Sequence, residues 1–292
     1  MIIGLKDMII KGINTAPIKQ GDHLCLMTFK VIDTNGNHCV FYMPVNTLID
    51  FMIILRSRLL EVSQKIIKQG ELYQQKLKSD IELLVANVPE IMSVEVMQPK
   101  AEYIVTSLTP KFKDEQFSLI IMLQNEQVIV LDISETQVEF IIAAIQQAIK
   151  TINDNETLQI IFSLLDFLLF YTVDLTNLEY LNFKEINHEP WKQHLFSNYC
   201  AVLYCFETEK GKEILAGAVI KANSQPESQE TENIIQRVAH LSPMLKALKD
   251  KYPLCQTFSQ RIPSQPMQIL SKEECLNPLH AFCLKILAEM KP

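Results

Sequence analysis

Apolar and polar residues alternate in a way that predicts two β-strands, a tight turn and then a helix, and this arrangement occurs three times. In the first copy, the apolar runs Leu24 to Val31 and Cys39 to Met43 flank Asn35-Gly36. Asn-Gly accepts the positive φ angles of a tight hairpin turn. Pro44 then ends the second run, and a helical pattern follows.

The second and third copies have the same order. Phe117 to Leu123 and Val128 to Leu131 are followed by Ser134 and Gln137, which have capping-box spacing and predict a helix from Val138. Cys200 to Phe206 and Ile214 to Ile220 precede a polar loop and a third helix. Two explanations remain open: an internal duplication, and the general frequency of hairpins followed by helices.

A long helical arm is predicted at about 46–87, after the first hairpin. Apolar residues there follow 3-4-3-4 spacing, which gives a narrow stripe along one helix face: Met52, Leu55, Leu59, Val62 and Ile66. A second stripe runs from Tyr73 to Leu84 beyond Gly70. The arm is therefore either one bent helix or a helical hairpin that folds at Gly70.

The longest apolar stretch runs from Ile160 to Val173 and is interrupted by few polar residues. A membrane-spanning helix needs about 20 apolar residues, so this stretch is too short to cross a bilayer. It predicts a buried core helix over 157–173 instead. At the C-terminus, Ser271 and Glu274 form a second capping-box pattern ahead of a helix.

Together these patterns predict an α+β fold, in which antiparallel β-hairpins are each followed by a helix. We expect two domains. The first, 1–152, contains two hairpin-helix units and the helical arm. The second, 153–292, contains the core helix, the third hairpin-helix unit and the C-terminal helix.

Composition and charge argue against several functional classes. The 292 residues include 27 Lys+Arg and 34 Asp+Glu, which gives a net charge of −7, and a pI near 5.5. No basic stripe is present, so we expect no nucleic-acid partner. Only 7 glycines occur, and no glycine-rich phosphate loop, nucleophile elbow, HExxH or CxxC motif is found. We therefore predict no cofactor, and no membrane partner.

Cysteine content and the N-terminus favour the cytoplasm. Seven widely spaced cysteines are an odd number, whereas a disulfide framework normally uses an even number. Lys6-Asp7 interrupts the first apolar residues, which leaves no apolar core for a signal peptide.

The densest group of chemically versatile side chains is His188, Trp191 and His194. With Cys200 and Cys205 the histidines supply residue types that bind zinc, but their spacing does not suit a zinc site, and we predict no metal. The only tryptophan, Trp191, is either a hydrophobic anchor or a binding hot spot. We take His188, Trp191 and His194 as candidate binding residues.

Asp166 is a further candidate because it interrupts the apolar stretch. A buried carboxylate must be paired or functional. Arg56 or Arg58 is a possible ion-pair partner, and a catalytic acid with a raised pKa is the alternative. A cysteine nucleophile, Cys275 or Cys283 beside His280, also stays open, although two residues on one helix face are equally compatible with a structural role.

Short motifs spread over nearly the whole chain resemble those of the uncharacterised bacterial YjeJ-like proteins. These are Ile10-Lys11-Gly12-Ile13-Asn14-Thr15, Phe41-Tyr42-Met43-Pro44, Ser163-Leu164-Leu165-Asp166-Phe167-Leu168, Leu178-Glu179-Tyr180, Pro190-Trp191-Lys192, Ala201-Val202-Leu203-Tyr204 and Gly217-Ala218-Val219-Ile220-Lys221. The resemblance implies a cytoplasmic bacterial protein of similar length. It implies no activity and no catalytic residue.

Three functions are compatible with these observations. The first is a non-catalytic protein-binding or regulatory protein, whose partner is a protein or a second copy bound through the striped helix. The second is an enzyme of unrecognised type, a hydrolase based on cysteine and histidine or on carboxylates. The third is an inhibitor of another macromolecule, for which the acidic surface offers electrostatic attraction.

Overall fold

The computed structural model describes residues 5–113, 116–177, 181–265 and 267–290. The chain folds as two compact units that meet in sequence between Leu165 and Asp166, later than the break predicted near residue 152. The motif Leu178-Glu179-Tyr180 and the first four residues lie outside the described residues. The two units are described separately below.

Unit 1 is built on a six-stranded sheet. Its strands are β1 (Leu5–Gln20), β2 (His23–Asp33), β3 (His38–Pro44), β4 (Val105–Phe112), β5 (Gln116–Leu123) and β6 (Val128–Ser134). The strand order is β3-β2-β1-β6-β5-β4. Each half is an antiparallel three-stranded meander, and the halves join where β1 runs parallel to β6. The sheet therefore places the two meanders side by side in the same order.

Five helices accompany this sheet: α1 (Val45–Gln69), α2 (Glu71–Ala86), α3 (Ser93–Met97), α4 (Val138–Lys150) and α5 (Asn155–Ser163). Two 3-10 turns lie at Ala101–Tyr103 and Glu135–Gln137. The arm is thus two helices separated at Gly70, whose φ of 65° is left-handed and favours glycine. Helix α1 contacts β2, β3 and β4, whereas α2 contacts β1 and the 3-10 turn at Glu135–Gln137.

The first half of α1 forms the core of unit 1. Leu48, Phe51, Met52, Ile54 and Leu55 are all buried there, although they project in different directions around the helix. The sheet curls around the helix far enough for β3 to form a single bridge, Tyr42 to Ile104, with the chain just before β4. Met52, Leu55 and Val62 of the predicted stripe are therefore buried inside their own unit.

Unit 2 is an antiparallel five-stranded sheet with helices on both faces. Its strands are β7 (Phe167–Asp174), β8 (Asn182–Glu185), β9 (Asn198–Thr208), β10 (Gly211–Ala222) and β11 (Leu254–Ile262), in the order β11-β9-β10-β7-β8. Its helices are α6 (Pro190–Gln193), α7 (Gln229–Leu241), α8 (Pro243–Lys251) and α9 (Lys272–Met290). Helices α7 and α8 cover the face that carries Val202 and Ala218, and α9 covers the opposite face at Gly217.

One predicted element is wrong. The apolar stretch expected to form a single core helix over 157–173 divides into α5, which ends at Ser163, and strand β7, which begins at Phe167. Strand β7 lies inside the sheet between β10 and β8, and most of its residues are buried. A strand buried on both faces gives a continuous apolar run without alternation, so periodicity does not distinguish it from a buried helix.

The fold class is confirmed as α+β. Each predicted hairpin is present, as β2–β3, β5–β6 and β9–β10, and each is followed by a helix, α1, α4 and α7. Strands β1, β4, β7, β8 and β11 lie outside the three predicted hairpins. Both capping boxes are present: the Ser134 N–H donates to the Gln137 side chain at 3.0 Å, and the Ser271 N–H donates to Glu274 at 2.7 Å.

Candidate functional site

The candidate residues around Trp191 lie at the β7–β8 side of unit 2. The ring of His188 is 2.9 Å (Nε2) from the carbonyl oxygen of Leu169 and packs edge-on against Phe170, with ring centroids 5.1 Å apart. Trp191 is half-buried in the short helix α6, and His194 follows directly at its C-terminal end. The His188 ring therefore links the segment after β8 to strand β7 through these two contacts.

Asp166 lies at the start of β7 and forms an ion pair. Its Oδ2 accepts a hydrogen bond from Nη1 of Arg237 in α7 at 2.5 Å. Arg237 also lies over the ring of Phe167, with its Cζ 5.8 Å from the ring centroid. Arg58, one of the two arginines considered from the sequence, pairs with Glu61. This ion pair fastens α7 to the start of β7.

Cysteine and histidine side chains do not converge as a metal or nucleophile site. Cys200 faces helices α7 and α8, and Cys205, an odd number of positions along β9, faces the opposite side. Within the described part of the chain, no three His, Cys, Asp or Glu residues are grouped to hold a metal ion. Burial raises the pKa of Cys275 to about 12 and that of Cys283 to about 11, so both remain protonated thiols at neutral pH.

A buried lysine in unit 2 escaped the sequence analysis. Lys221, near the end of β10, is 2% exposed, and burial lowers its pKa. Its Nζ donates to the carbonyl oxygen of Gln268 at 3.3 Å and lies 4.4 Å from the centroid of the Tyr199 ring. The only hint in the sequence is its position directly after an apolar strand. The Gln268 segment therefore covers the amine of Lys221.

The feature best suited to binding lies in unit 1. A groove of about 520 Å³ runs along the second half of β1, and we call it the β1 groove. Its lining residues are Ile13, Asn14, Thr15, Ala16, Pro17, Val85, Val88, Phe140, Ala143, Ala144, Gln147, Ala148 and Thr151. The groove therefore has β1 as its floor, the end of α2 and the following residues as one wall, and α4 as the other. None of its lining side chains is charged.

The floor of the β1 groove is the open edge of a strand. Five consecutive residues, 13–17, line the groove. Because successive side chains of a strand point to opposite faces, a groove on one face would meet only every second residue. The β1 groove therefore runs along the strand edge. Strand β6 pairs with β1 only as far as Ile9, whereas β2 occupies the other edge up to Gln20. Beyond Ile9, no described strand therefore covers the edge of β1 that faces the groove.

Pro17 identifies which backbone groups face the groove. Proline has no N–H and is tolerated in a strand where that position points away from the partner strand. Because strand residues alternate, the backbone groups of Ile13 and Thr15 point the same way as those of Pro17. The Thr15 N–H donates to the Asn14 side chain at 2.9 Å and not to a neighbouring strand, which agrees with this direction.

Close contacts hold both walls against β1. The Asn14 side chain donates to the carbonyl oxygen of Pro89 at 2.8 Å, and the Thr15 hydroxyl donates to the carbonyl oxygen of Ala144 in α4 at 3.1 Å. Gly12 permits the closest approach of the α2 wall to β1, since a Cβ at this position would lie 1.9 Å from the carbonyl oxygen of Asn87. The width of the β1 groove is thus fixed by contacts to the strand itself.

A buried polar network positions α2, which carries one wall. Glu135, 4% exposed, accepts hydrogen bonds from Lys65 at 2.7 Å and from the Tyr73 hydroxyl at 2.8 Å, and thereby joins the two helices on either side of Gly70. The neighbouring Thr136 hydroxyl donates to Asp80 of α2 at 2.7 Å. A paired and hydrogen-bonded carboxylate of this kind restrains the elements around it.

We expect Tyr73→Phe to destabilise unit 1 by about 1–2 kcal/mol, because the buried Glu135 oxygen loses the hydroxyl that donates to it. Chemical denaturation followed by far-UV circular dichroism measures the change. Tyr103→Phe is the matched control, since the ring of Tyr103 contacts Lys100 and that contact survives loss of the hydroxyl. Equal stability of the two variants would contradict the assigned role of Tyr73.

The sequence contains one signal for the β1 groove. Pro17 follows an apolar segment, and a proline within a strand indicates an open edge. The groove walls had no such signal, because they depend on contacts of β1 with Asn87 and Ala144, which are distant in the sequence.

Fold and groove together define a two-unit α+β protein with an accessible strand edge. Residues 6–289 match the family model described as YjeJ-like, and the chain belongs to this family. It is 31% identical over 272 residues to the uncharacterized protein YjeJ of Escherichia coli strain K12, a match that covers 93% of each chain. No solved structure matches the chain. The predicted family is therefore confirmed.

Proposed function

We propose that this protein is a non-catalytic protein-binding protein that holds an extended segment of a partner protein in the β1 groove. The observation that carries the proposal is the open edge of β1 over residues 13–17, bounded by two walls. An extended segment can add to such an edge as a further strand, with backbone hydrogen bonds supplying affinity and the walls supplying specificity.

The residues that line the β1 groove indicate which kind of partner segment would fit it. Val85, Val88, Phe140 and Ala143 form apolar walls, and the side chains that line the groove include no lysine, arginine, aspartate or glutamate. An uncharged segment with small apolar side chains fits this surface best, since a charged side chain would lose water without gaining an ion-pair partner. A nucleic acid is disfavoured by the same lining and by the net charge of −7.

We also propose a cytoplasmic location in the bacterial cell. No disulfide bond joins any of the described cysteines, which supports a reducing compartment. Among the described helices, none combines the length and apolar character that crossing a bilayer requires.

Self-association through the striped helix stays a prediction. Met52, Leu55 and Val62 of the stripe pack inside unit 1, whereas Leu60, Ile67 and Leu72 of the arm are exposed apolar side chains that a second copy would meet. For the β1 groove we propose a different protein as the occupant, because the open edge and its walls already form a site for one extended segment.

Affinity capture with a matched pair of variants tests the proposed function. Ala143→Glu places a charge on the α4 wall, and Gln146→Glu places a charge on an exposed position of the same helix outside the groove. We expect quantitative mass spectrometry to identify a protein that wild type and Gln146→Glu retain equally and that Ala143→Glu loses at least tenfold. A tenfold loss corresponds to about 1.4 kcal/mol of binding free energy.

Two results would overturn the proposal. If wild type and both variants retain the same proteins, the β1 groove does not bind them. If light scattering shows that Ala143→Glu changes the oligomeric state of the protein itself, a second copy occupies the groove.

A further inference from the structure

Two cysteine thiols of unit 2 lie in contact without being bonded. The Sγ atoms of Cys205 in β9 and Cys255 in β11 are 3.6 Å apart, and the Cys255 thiol also lies 3.3 Å from the carbonyl oxygen of Cys205. A disulfide bond is about 2.05 Å long, so rotation of the side chains and a small approach of the strands bring the sulfurs to bonding distance.

The two thiols differ in access to solvent. Cys205 is fully buried, whereas Cys255 is exposed on β11, an edge strand of the unit 2 sheet. The pairing of β11 with β9 has an irregularity between Leu254 and Gln256, so Cys255 is the additional residue at this point. Such a bulge bends the strand and redirects a side chain, which here brings Cys255 beside Cys205.

The surroundings of Cys255 admit small polar molecules. A second groove, of about 660 Å³, runs along residues 253–257 of unit 2 and includes Cys255 among its lining residues. Glu232, Gln236 and Lys249 line its helical side, so this groove is polar, unlike the β1 groove. A small hydrophilic oxidant therefore reaches the chain at Cys255 without any rearrangement of the helices.

We propose that Cys205 and Cys255 form an oxidative modification site, at which a hydroperoxide converts the two thiols into a cross-strand disulfide. The Cys255 thiol loses its proton to solvent, and its sulfur attacks the distal peroxide oxygen. The O–O bond breaks, Cys255 becomes a sulfenic acid, and the departing alkoxide takes a proton to form an alcohol.

The sulfur of Cys205 then attacks the Cys255 sulfur, the Cys205 proton passes to the sulfenic acid oxygen, and this oxygen leaves as water. In total, two thiols and one hydroperoxide give one disulfide, one alcohol and one water, and the two electrons lost by the thiols reduce the peroxide. Proximity favours the second step, because Cys205 is already in contact with the sulfur it attacks. The product ties the edge strand β11 covalently to β9.

Treatment of the full chain with hydrogen peroxide tests this site. After alkylation of remaining thiols, peptide mass spectrometry without reduction should find Cys205 linked to Cys255, and dithiothreitol should reverse the link. Cys205→Ala keeps the buried position small and apolar, and circular dichroism verifies its fold. In this variant dimedone, a reagent specific for sulfenic acids, should label Cys255 several-fold more than in wild type.

Cys25 is the internal control, since it is also exposed but has no thiol in contact with it. The proposal is overturned if dimedone labels Cys255 equally in wild type and Cys205→Ala with no linked peptide. It is also overturned if Cys255 remains reduced under conditions that oxidise Cys25.

Discussion

Gly12→Ala should destabilise unit 1 by about 3 kcal/mol, because the added methyl group has no room. The added Cβ would lie 1.9 Å from the carbonyl oxygen of Asn87 and 2.8 Å from Cγ2 of Ile32. One of these contacts is with backbone, which cannot rotate away as a side chain can. The residues after α2 must therefore move off β1, and Val88 moves with them.

Denaturant unfolding followed by circular dichroism measures this effect. Gly21→Ala is the control: Gly21 has a φ of 63° and no atom within 4 Å of the added Cβ, so its substitution costs only the conformational strain, about 1 kcal/mol. A Gly12→Ala variant as stable as Gly21→Ala would contradict the close packing of Asn87 on β1. We also expect Gly12→Ala to weaken retention of the partner, because it displaces one wall of the β1 groove.

Unit 2 should lose on the order of 4 kcal/mol of stability between pH 8 and pH 10. Burial raises the pKa of the thiols of Cys200, Cys205, Cys275 and Cys283 to about 11 or 12, from an ordinary value of 9. Above pH 9 the unfolded chain releases these protons and the folded chain retains them, so unfolding becomes more favourable as the pH rises. Each thiol contributes about 1.4 kcal/mol over this interval, most of it above pH 9, and Lys221, whose pKa is lowered, offsets part of the sum.

Trp191 provides the measurement, because the only tryptophan of the chain lies in unit 2 and its fluorescence reports the unfolding of that unit. Urea unfolding at pH 8 and pH 10 gives the two free energies. Cys283→Ala should remove one of the four thiol contributions to the pH dependence of unit 2, whereas Cys25→Ala, which changes unit 1, should leave the stability of unit 2 unchanged. Equal stability at the two pH values would contradict the burial of the four thiols.

Local signals in the sequence were sufficient for the hairpins and the ends of several helices. Asn35-Gly36 marks the turn between β2 and β3, and Gly36 has the expected positive φ of 82°. The capping boxes at Ser134 and Ser271 give the starts of their helices, and Gly70 separates α1 from α2. These features depend on residues within a few positions of one another, which is why a single sequence reveals them.

Features that depend on distant residues could not be predicted in this way. The partner of Asp166 is Arg237, on a helix that follows four intervening strands, and no spacing rule connects the two. The apolar run from Ile160 to Val173 contains both a helix and a strand, since β7 is buried on both faces. The sequence places Lys221 at the end of an apolar run, where a lysine is normally exposed. Only the packing of the Gln268 segment buries it.

The β1 groove depends both on a local sequence signal and on contacts between distant residues. Pro17 indicates an open strand edge from the sequence alone, but the groove exists only because β6 stops pairing at Ile9 while β1 continues to Gln20. The candidate residues His188, Trp191, His194 and Asp166 all lie in unit 2, so the binding role expected for them stays a prediction that is separate from the groove.

Hydrogen exchange tests the central claim most directly. The probe is the protein retained by wild type and lost by Ala143→Glu, added in excess to the full chain. If an extended segment adds to β1, the amides facing the β1 groove at residues 13 and 15 should exchange at least tenfold more slowly in the complex, and the α4 wall should be protected with them. Protection confined to another surface, with residues 13–17 unchanged, would contradict the account.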